Sequence, residues 1–363
     1  MVLSNKRRQL FEEVTQAIGV FGHEVEIRRV LERYYRPLAD ELLEDQLGSL
    51  IAHKKSNNPN APKVLVLAHM DEVGFRVGSI ESDGTLKMHK LPSGIWEQTL
   101  MSQRVYVQTK TGKVLEGVID TIPPHQLTPE LRAKPMKAED MLVDLGCSTK
   151  EEAIALGVSV NDSIVIRGDF QVLNGGKRLI SKAFDNRYGC ILGIELLQAL
   201  QSTNLDIDLY IGASVQEEAG LRGAQTVAQM IQPDFAIVLD CSPASDMGGN
   251  KKEYGQLGGG VLIRFVDASM IAFPELLNYQ IGMCKKVGVP YQYYLSYGGT
   301  DAGIVHKSLA GIPTLTQCIC ARNIHTSGSI IDLDDYEGAR KVTLKMLKTL
   351  SSQTIERFKN ANR

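Results

Sequence analysis

From about residue 175 onward, short apolar runs alternate with longer segments of helical periodicity. "GCILGIELLQAL" (189–200) has helical spacing, "DIDLYIGASV" (206–215) reads as a strand, "AGLRGAQTVAQMI" (219–231) as a helix and "DFAIVLD" (234–240) as a strand. "PELLNYQIGMCKKVG" (274–288) and the stretch 332–351 are helical again. This alternation predicts an α/β domain with helices layered on a mixed, largely parallel sheet.

The start of the chain joins that domain. "NKRRQLFEEVTQAI" (5–18) places Leu10, Phe11, Val14 and Ile18 at helical spacing, and a second helix is expected over 24–35, ahead of Pro37. The loop "SNNPNAP" (56–62) then feeds a buried strand at 64–67. From about residue 74 the texture changes to short alternating segments, such as "RVYVQTKTGKVLEGVID" (104–120) and "DSIVIRGDFQVL" (162–173). We therefore expect a β-rich insertion, 74–169, inside a discontinuous catalytic domain of 1–73 and 170–363.

Composition removes several classes of function. A net charge of -2 with 23% charged residues gives no nucleic-acid signature. The six cysteines are scattered without a C-x-x-C pair, so they are expected to be reduced thiols. The opening residues lack a secretory h-region and no apolar run reaches the roughly 18 residues of a membrane span. The expected setting is cytoplasmic, with no membrane partner.

In open α/β sheets, reactive groups collect beyond the carboxyl ends of the strands. Here the residues after the apolar runs are His69, Asp71 and Glu72, then Asp185 in "SKAFDNRYG", Glu217 and Glu218, Asp240, and His325. Singly, each has a plain structural reading: a hydrogen-bonded core histidine, a helix N-cap, a first-turn glutamate or a loop residue. Together they form a set of carboxylates that needs compensating positive charge, which two divalent cations would supply. Imidazole and carboxylate donors suit Zn²⁺ or Co²⁺. On a strand, residues two apart share a side, so Asp71 can accept the second ring N–H of His69. A polar, exposed set of strand ends would have the same spacing.

"AHMDEVGF", "KAFDNRYG", "VQEEAGLRGA", "VLDCSP", "GGTDAG" and "CARNIHT" together resemble, in order, the motifs of the glutamyl aminopeptidase and tetrahedral (TET) aminopeptidase family. Some relatives in that group carry endoglucanase labels. The resemblance implies that Asp185 bridges two metal ions, with His69 and Asp240 completing one shell and Glu218 and His325 the other. Glu217 would be the general base and Asp71 would stand behind His69. It also implies a β-barrel-like insertion that assembles the chain into homododecamers, and short peptides as substrates.

Three further positions concern the substrate. Arg264, in the apolar "VLIRF", either pairs with an N-terminal Glu or Asp side chain or belongs to a structural salt bridge or an exposed strand edge. Gly299, Thr300 and Asp301 of "YGGTDAG" either line the substrate with backbone N–H donors or form a plain turn with a helix cap. Asn323 and Thr326 stand where the family usually has tyrosine and serine, which bears on the pocket's edge. The leading expectation is a two-metal aminopeptidase with acidic preference. The alternatives are a deacylase or a polysaccharide hydrolase keeping the same metal site, although glycosidase chemistry has no metal requirement, a broad-specificity aminopeptidase, and a non-catalytic assembly protein.

Overall fold

The computed structural model describes residues 3–91, 94–134, 136–249 and 255–361. Strands β1 (Glu41–Glu44), β2 (Leu50–Lys54) and β3 (Lys63–His69) belong to the main sheet. The chain then leaves it for β4 (Phe75–Ile80), β5 (Leu86–Lys90), β6 (Arg104–Gln108), β7 (Val114–Ile119), β8 (Leu142–Asp144) and β9 (Ser163–Ile166). These six close into an antiparallel barrel in the order β4-β5-β8-β7-β6-β9. The main sheet resumes with β10 (Gln171–Leu173), β11 (Arg178–Ser181), β12 (Asp208–Ser214), β13 (Phe235–Pro243), β14 (Val261–Val266), β15 (Tyr291–Leu295), β16 (Thr314–Arg322) and β17 (Ser329–Asp332).

The main sheet runs β1-β2-β12-β3-β13-β16-β17-β11-β10, with β14 and β15 attached beside β16. Its centre, β12-β3-β13-β16, is parallel and its flanks are largely antiparallel. The sequence of β3 explains the burial. Val64, Val66 and Ala68 enter one apolar core, while Leu65 and Leu67 enter another on the opposite face. A strand apolar on both faces requires a helical layer on each side.

The first face is covered by α1 (Asn5–Gln16) and α2 (Val25–Tyr35). After α3 (Pro129–Arg132) and α4 (Lys150–Ala155) in the insertion, α5 (Phe184–Leu200) completes the centre of that layer. α5 is apolar almost all round, the composition of a buried helix. Gly189 lets it approach β3, since a Cβ there would lie 2.8 Å from the Ala68 Cβ. The opposite face carries α6 (Arg222–Ile231) and, after α7 (Pro274–Val287), the single turn α8 (Ala302–Val305). The C-terminal α9 (Leu333–Thr349) and α10 (Ser352–Asn360) return to the first face.

The barrel has its own core, in which Val105 and Val107 alternate with outward residues along β6. All six cysteines are free. Among the described residues, no helix is long and apolar enough to cross a membrane. One element starts later than its sequence suggested. Helical periodicity extends back to 219, yet α6 begins at Arg222, because Gly220 (φ 113°) and Leu221 (φ 61°) are left-handed.

Candidate active site

β3, β12, β13 and β16 end on one side of the sheet, and their register brings the ends together: His69 lies opposite Ser214, and Asp240 opposite Cys318. His69 is the last residue of β3, and Asp240 lies three residues before the end of β13. Glu217 and Glu218 follow β12 after Gln216, whose φ of 56° turns the chain away from the strand. Asp185 stands at the start of α5, with non-helical backbone, beside a cis Asp185–Asn186 peptide. His325 follows β16, also left-handed at φ 60°.

Asp185 is the centre of the arrangement. Its Oδ1 lies 3.0 Å from His69 Nε2 and its Oδ2 lies 3.2 Å from His325 Nε2. Around His69 Nε2 stand Glu217 Oε2 and Asp240 Oδ1, each at 3.9 Å. Glu218 Oε1 lies 3.1 Å from His325 Nε2. Two triads therefore have ligand atoms within 4.8 Å of one another and share Asp185: His69–Asp185–Asp240 and Asp185–Glu218–His325. His69, Glu217 and Glu218 form a third such group. All are nitrogen and oxygen donors, so this set fits hard or borderline divalent cations.

The electrostatics point the same way. Burial pushes the Glu217 carboxyl well above its ordinary range, and Asp240, Glu218 and Asp301 add to the rise against the opposing pull of His69. Asp240 is pushed up by burial and by Asp185. Burial would also raise Asp185, but hydrogen bonds from His325 and His69 hold it below the usual carboxylate range. Burial would lower both imidazoles; instead Glu217, Asp185 and Asp71 raise His69 well above its ordinary value, and Glu218 and Asp185 raise His325 to about 11. So dense a group of buried anions is the charge pattern that a bound cation relieves.

Asp71 does more than stand behind His69. Its Oδ1 lies 3.5 Å from His69 Nδ1, longer than a normal hydrogen bond. Its two oxygens accept the backbone N–H groups of Glu217 and Glu218, each at 3.0 Å. Glu72 takes no part in the cluster: it is buried against Lys182 (2.7 Å) and Arg187 (3.4 Å). Two residues not singled out in the sequence also hold the site. Glu24 Oε1 accepts Gln216 N–H (3.2 Å), and the Ser214 hydroxyl lies 2.5 Å from Asp301 Oδ2. Ser214 ends β12, so the strand-end rule that found His69 applies to it as well.

His69, Asp185, Glu217, Glu218, Asp240 and His325 line an open cleft of about 550 Å³, together with Leu221, Cys241, Pro243, Ser296, Gly298 and Gly299. Arg264 reaches the cleft, but its guanidinium is engaged: Nε donates to Asp267 Oδ2 (2.8 Å), one amino group to Ser242 Oγ (3.0 Å) and the other to Gly298 O (2.5 Å). Gly299 lines the cleft, whereas Thr300 and Asp301 are each only 1% exposed and lie beneath it. A direct substrate contact by their side chains is therefore not what this arrangement offers, because the Gly-rich turn folds inward over β12. Asp301 makes no side-chain cap to α8, and Thr300 Oγ1 accepts Ala302 N–H at 3.2 Å.

The sequence profile of the M42 glutamyl aminopeptidase family matches residues 48–342. The chain is 36% identical over 361 residues to the glutamyl aminopeptidase of Lactococcus lactis subsp. cremoris (strain MG1363), covering 97% of this chain and 99% of that one. It superimposes on the TET aminopeptidase of a marine sediment archaeon, Thaumarchaeota archaeon SCGC AB-539-E09, with a TM-score of 0.93 and 37% identity, over 98% and 99% of the two chains. The Pyrococcus horikoshii TET1 peptidase, described as able to assemble into a tetrahedron or a large octahedral shell, matches with a TM-score of 0.84 and 30% identity over 94% and 99%. The chain is a metallo-aminopeptidase and belongs to the M42 glutamyl aminopeptidase family.

Proposed function

We propose that this aminopeptidase removes N-terminal residues, preferentially Glu and Asp, from short peptides at a site holding two divalent ions. The observation that carries the reading is Asp185, whose two carboxylate oxygens face two different histidines. In this reading Asp185 would be shared by the two ions, His69 and Asp240 would hold one and Glu218 and His325 the other; Zn²⁺ or Co²⁺ suits such donors. Ions held there would supply polarisation of the scissile carbonyl and acidification of the attacking water.

The chain's own groups then have separate tasks. Glu217 takes the water's proton as the C–O bond forms and passes it to the amine as the C–N bond breaks. Its raised pKa brings it towards the neutral range that such proton transfer needs. Asp71 fixes the backbone that carries both glutamates, so the base and the ligand keep a constant separation. The surrounding carboxylates favour a free α-ammonium group over an internal peptide, which makes the activity exopeptidic.

Arg264 supports the acidic preference, being the only Lys or Arg among the described residues lining the cleft. Asp267 already pairs with it, and that observation favours a second reading, a broad-specificity aminopeptidase of the same fold. A panel of Glu, Asp, Leu and Lys anilides with Zn²⁺, Co²⁺ and Mn²⁺ separates the two. Arg264→Ala should lower Glu-anilide turnover by roughly 10- to 100-fold and leave Leu-anilide turnover nearly unchanged. An equal loss on both substrates would remove Arg264 from specificity.

For the barrel we propose a role in self-association, as a segment of 74–169 that assembles the chain into homododecamers. Trp96 (61% exposed) and Val114 (42%) provide apolar surface there. The assembly described for the Pyrococcus horikoshii relative supports the same reading. Light scattering on the purified protein checks it, with a monomer mass as the contrary result.

A further inference from the structure

Gly94, on the segment joining β5 to β6, abuts the ring of His325. A Cβ on Gly94 would lie 2.4 Å from His325 Nδ1 and 2.6 Å from Cε1, so no side chain fits unless the ring turns. The ring's other nitrogen is the one that faces Glu218 and Asp185, at 3.1 and 3.2 Å. Gly94 has no left-handed φ, so the backbone does not require glycine there. What requires it is the space taken by the imidazole.

The loop that carries His325 needs outside support. Asn323 and His325 both have positive φ, and the loop's own side-chain bonds are short-range: Thr326 Oγ1 donates to Asn323 O (2.8 Å) and accepts Gly328 N–H (3.2 Å), and Asn323 Nδ2 donates to Gly328 O (3.3 Å). From the barrel side, Ser327 Oγ donates to Gln103 Oε1 at 3.1 Å, just ahead of β6. Gly168, where the chain returns from the barrel, backs onto the same loop: a Cβ there would lie 2.1 Å from the Ser327 carbonyl oxygen. The insertion thus touches the loop at His325 and two residues beyond it.

We infer that Gly94 is a positioning residue for His325, so that the inserted barrel, and not the sheet alone, sets the affinity of the ion held by Glu218 and His325. Histidine ligands depend on what fixes their ring orientation, and loss of such support typically costs about 10- to 100-fold in metal affinity. The inference rests on the two-ion reading above.

The test is equilibrium dialysis of full-length wild type and Gly94→Ala against graded Co²⁺, with bound metal counted by mass spectrometry. Wild type should bind two ions. Gly94→Ala should hold one at wild-type affinity and bind the other about 10- to 100-fold more weakly. Exposed Val160→Ala, elsewhere on the barrel, should leave both affinities unchanged. Wild-type affinity for both ions in Gly94→Ala, equal weakening of both, or the same weakening in Val160→Ala would each overturn the inference while leaving the two-ion reading in place. Fewer than two ions on wild type would instead bring down that reading. If Gly94→Ala does not fold, Gln103→Ala removes the neighbouring support without crowding; unchanged affinity there would also count against the inference.

Discussion

Parallel strands of the main sheet end in two cavities of nearly equal size and different charge. At the carboxyl ends lies the cleft of about 550 Å³ lined by His69, Asp185, Glu217, Glu218, Asp240 and His325. At the amino ends of β13 and β16 lies one of about 560 Å³, lined by Met270, Ile271, Phe273, Leu276, Leu309 and Ile312 among others. In the second cavity Asp234 pairs with Lys359 at 2.7 Å, and His306 Nδ1 lies 2.9 Å from Ala302 O. In the first, carboxylates outnumber the cations near them. Uncompensated buried charge at strand carboxyl ends, rather than cavity volume, marks where the chemistry is.

Mutations at the two ends should separate accordingly. The largest effect is expected for Glu217→Gln, which keeps the shape of the site and removes the proposed base. Steady-state kinetics should show turnover down by about 10²- to 10⁴-fold with bound metal unchanged. The same residue sets a pH dependence. Protonated Glu217 cannot accept a proton, and burial raises its pKa, so activity should fall on the acid side above the ordinary glutamate range of about 4.3. A kcat/KM profile flat down to that range would assign the base elsewhere.

A smaller loss is expected for Asp71→Asn. The amide can accept through only one oxygen, so one of the Glu217 and Glu218 N–H groups loses its acceptor. Metal affinity and kcat should fall by about 10- to 100-fold, measured by dialysis and by kinetics, with circular dichroism unchanged. The smallest effect belongs at the opposite end. Ile271 is 74% exposed, and Ile271→Ser should shift thermal stability by no more than about 0.5 kcal/mol and leave kcat unaltered. A loss of activity there would mean that the two ends are coupled and the contrast drawn here is incomplete.

The parts legible in the sequence were those with local causes. The apolar run that stops at His69 shows both the strand and the group at its end, and the run before Asp240 shows its strand, although β13 continues to Pro243. The alternation of helix and strand was readable for the same reason, as was the change of texture near residue 74. What depends on contacts distant in the chain was not. That Asp71 accepts from Glu217 and Glu218 joins residues about 146 apart, and nothing near Asp71 signals it. The burial of Thr300 and Asp301 was equally hidden, since a Gly-rich turn is normally an exposed one and only the packing over Ser214 shows otherwise. Arg264 lay between the two cases: its partner Asp267 is three residues away and a salt bridge was among its readings, but its position in the cleft wall comes from tertiary structure.

The central claim is that one carboxylate, Asp185, serves two ions. Its most direct test is metal uptake by Asp185→Ala beside wild type, with Co²⁺ counted per chain after dialysis. The account predicts two ions on wild type and a weakening of both in the variant. Retention of one ion at wild-type affinity would contradict it, because Asp185 would then belong to a single shell.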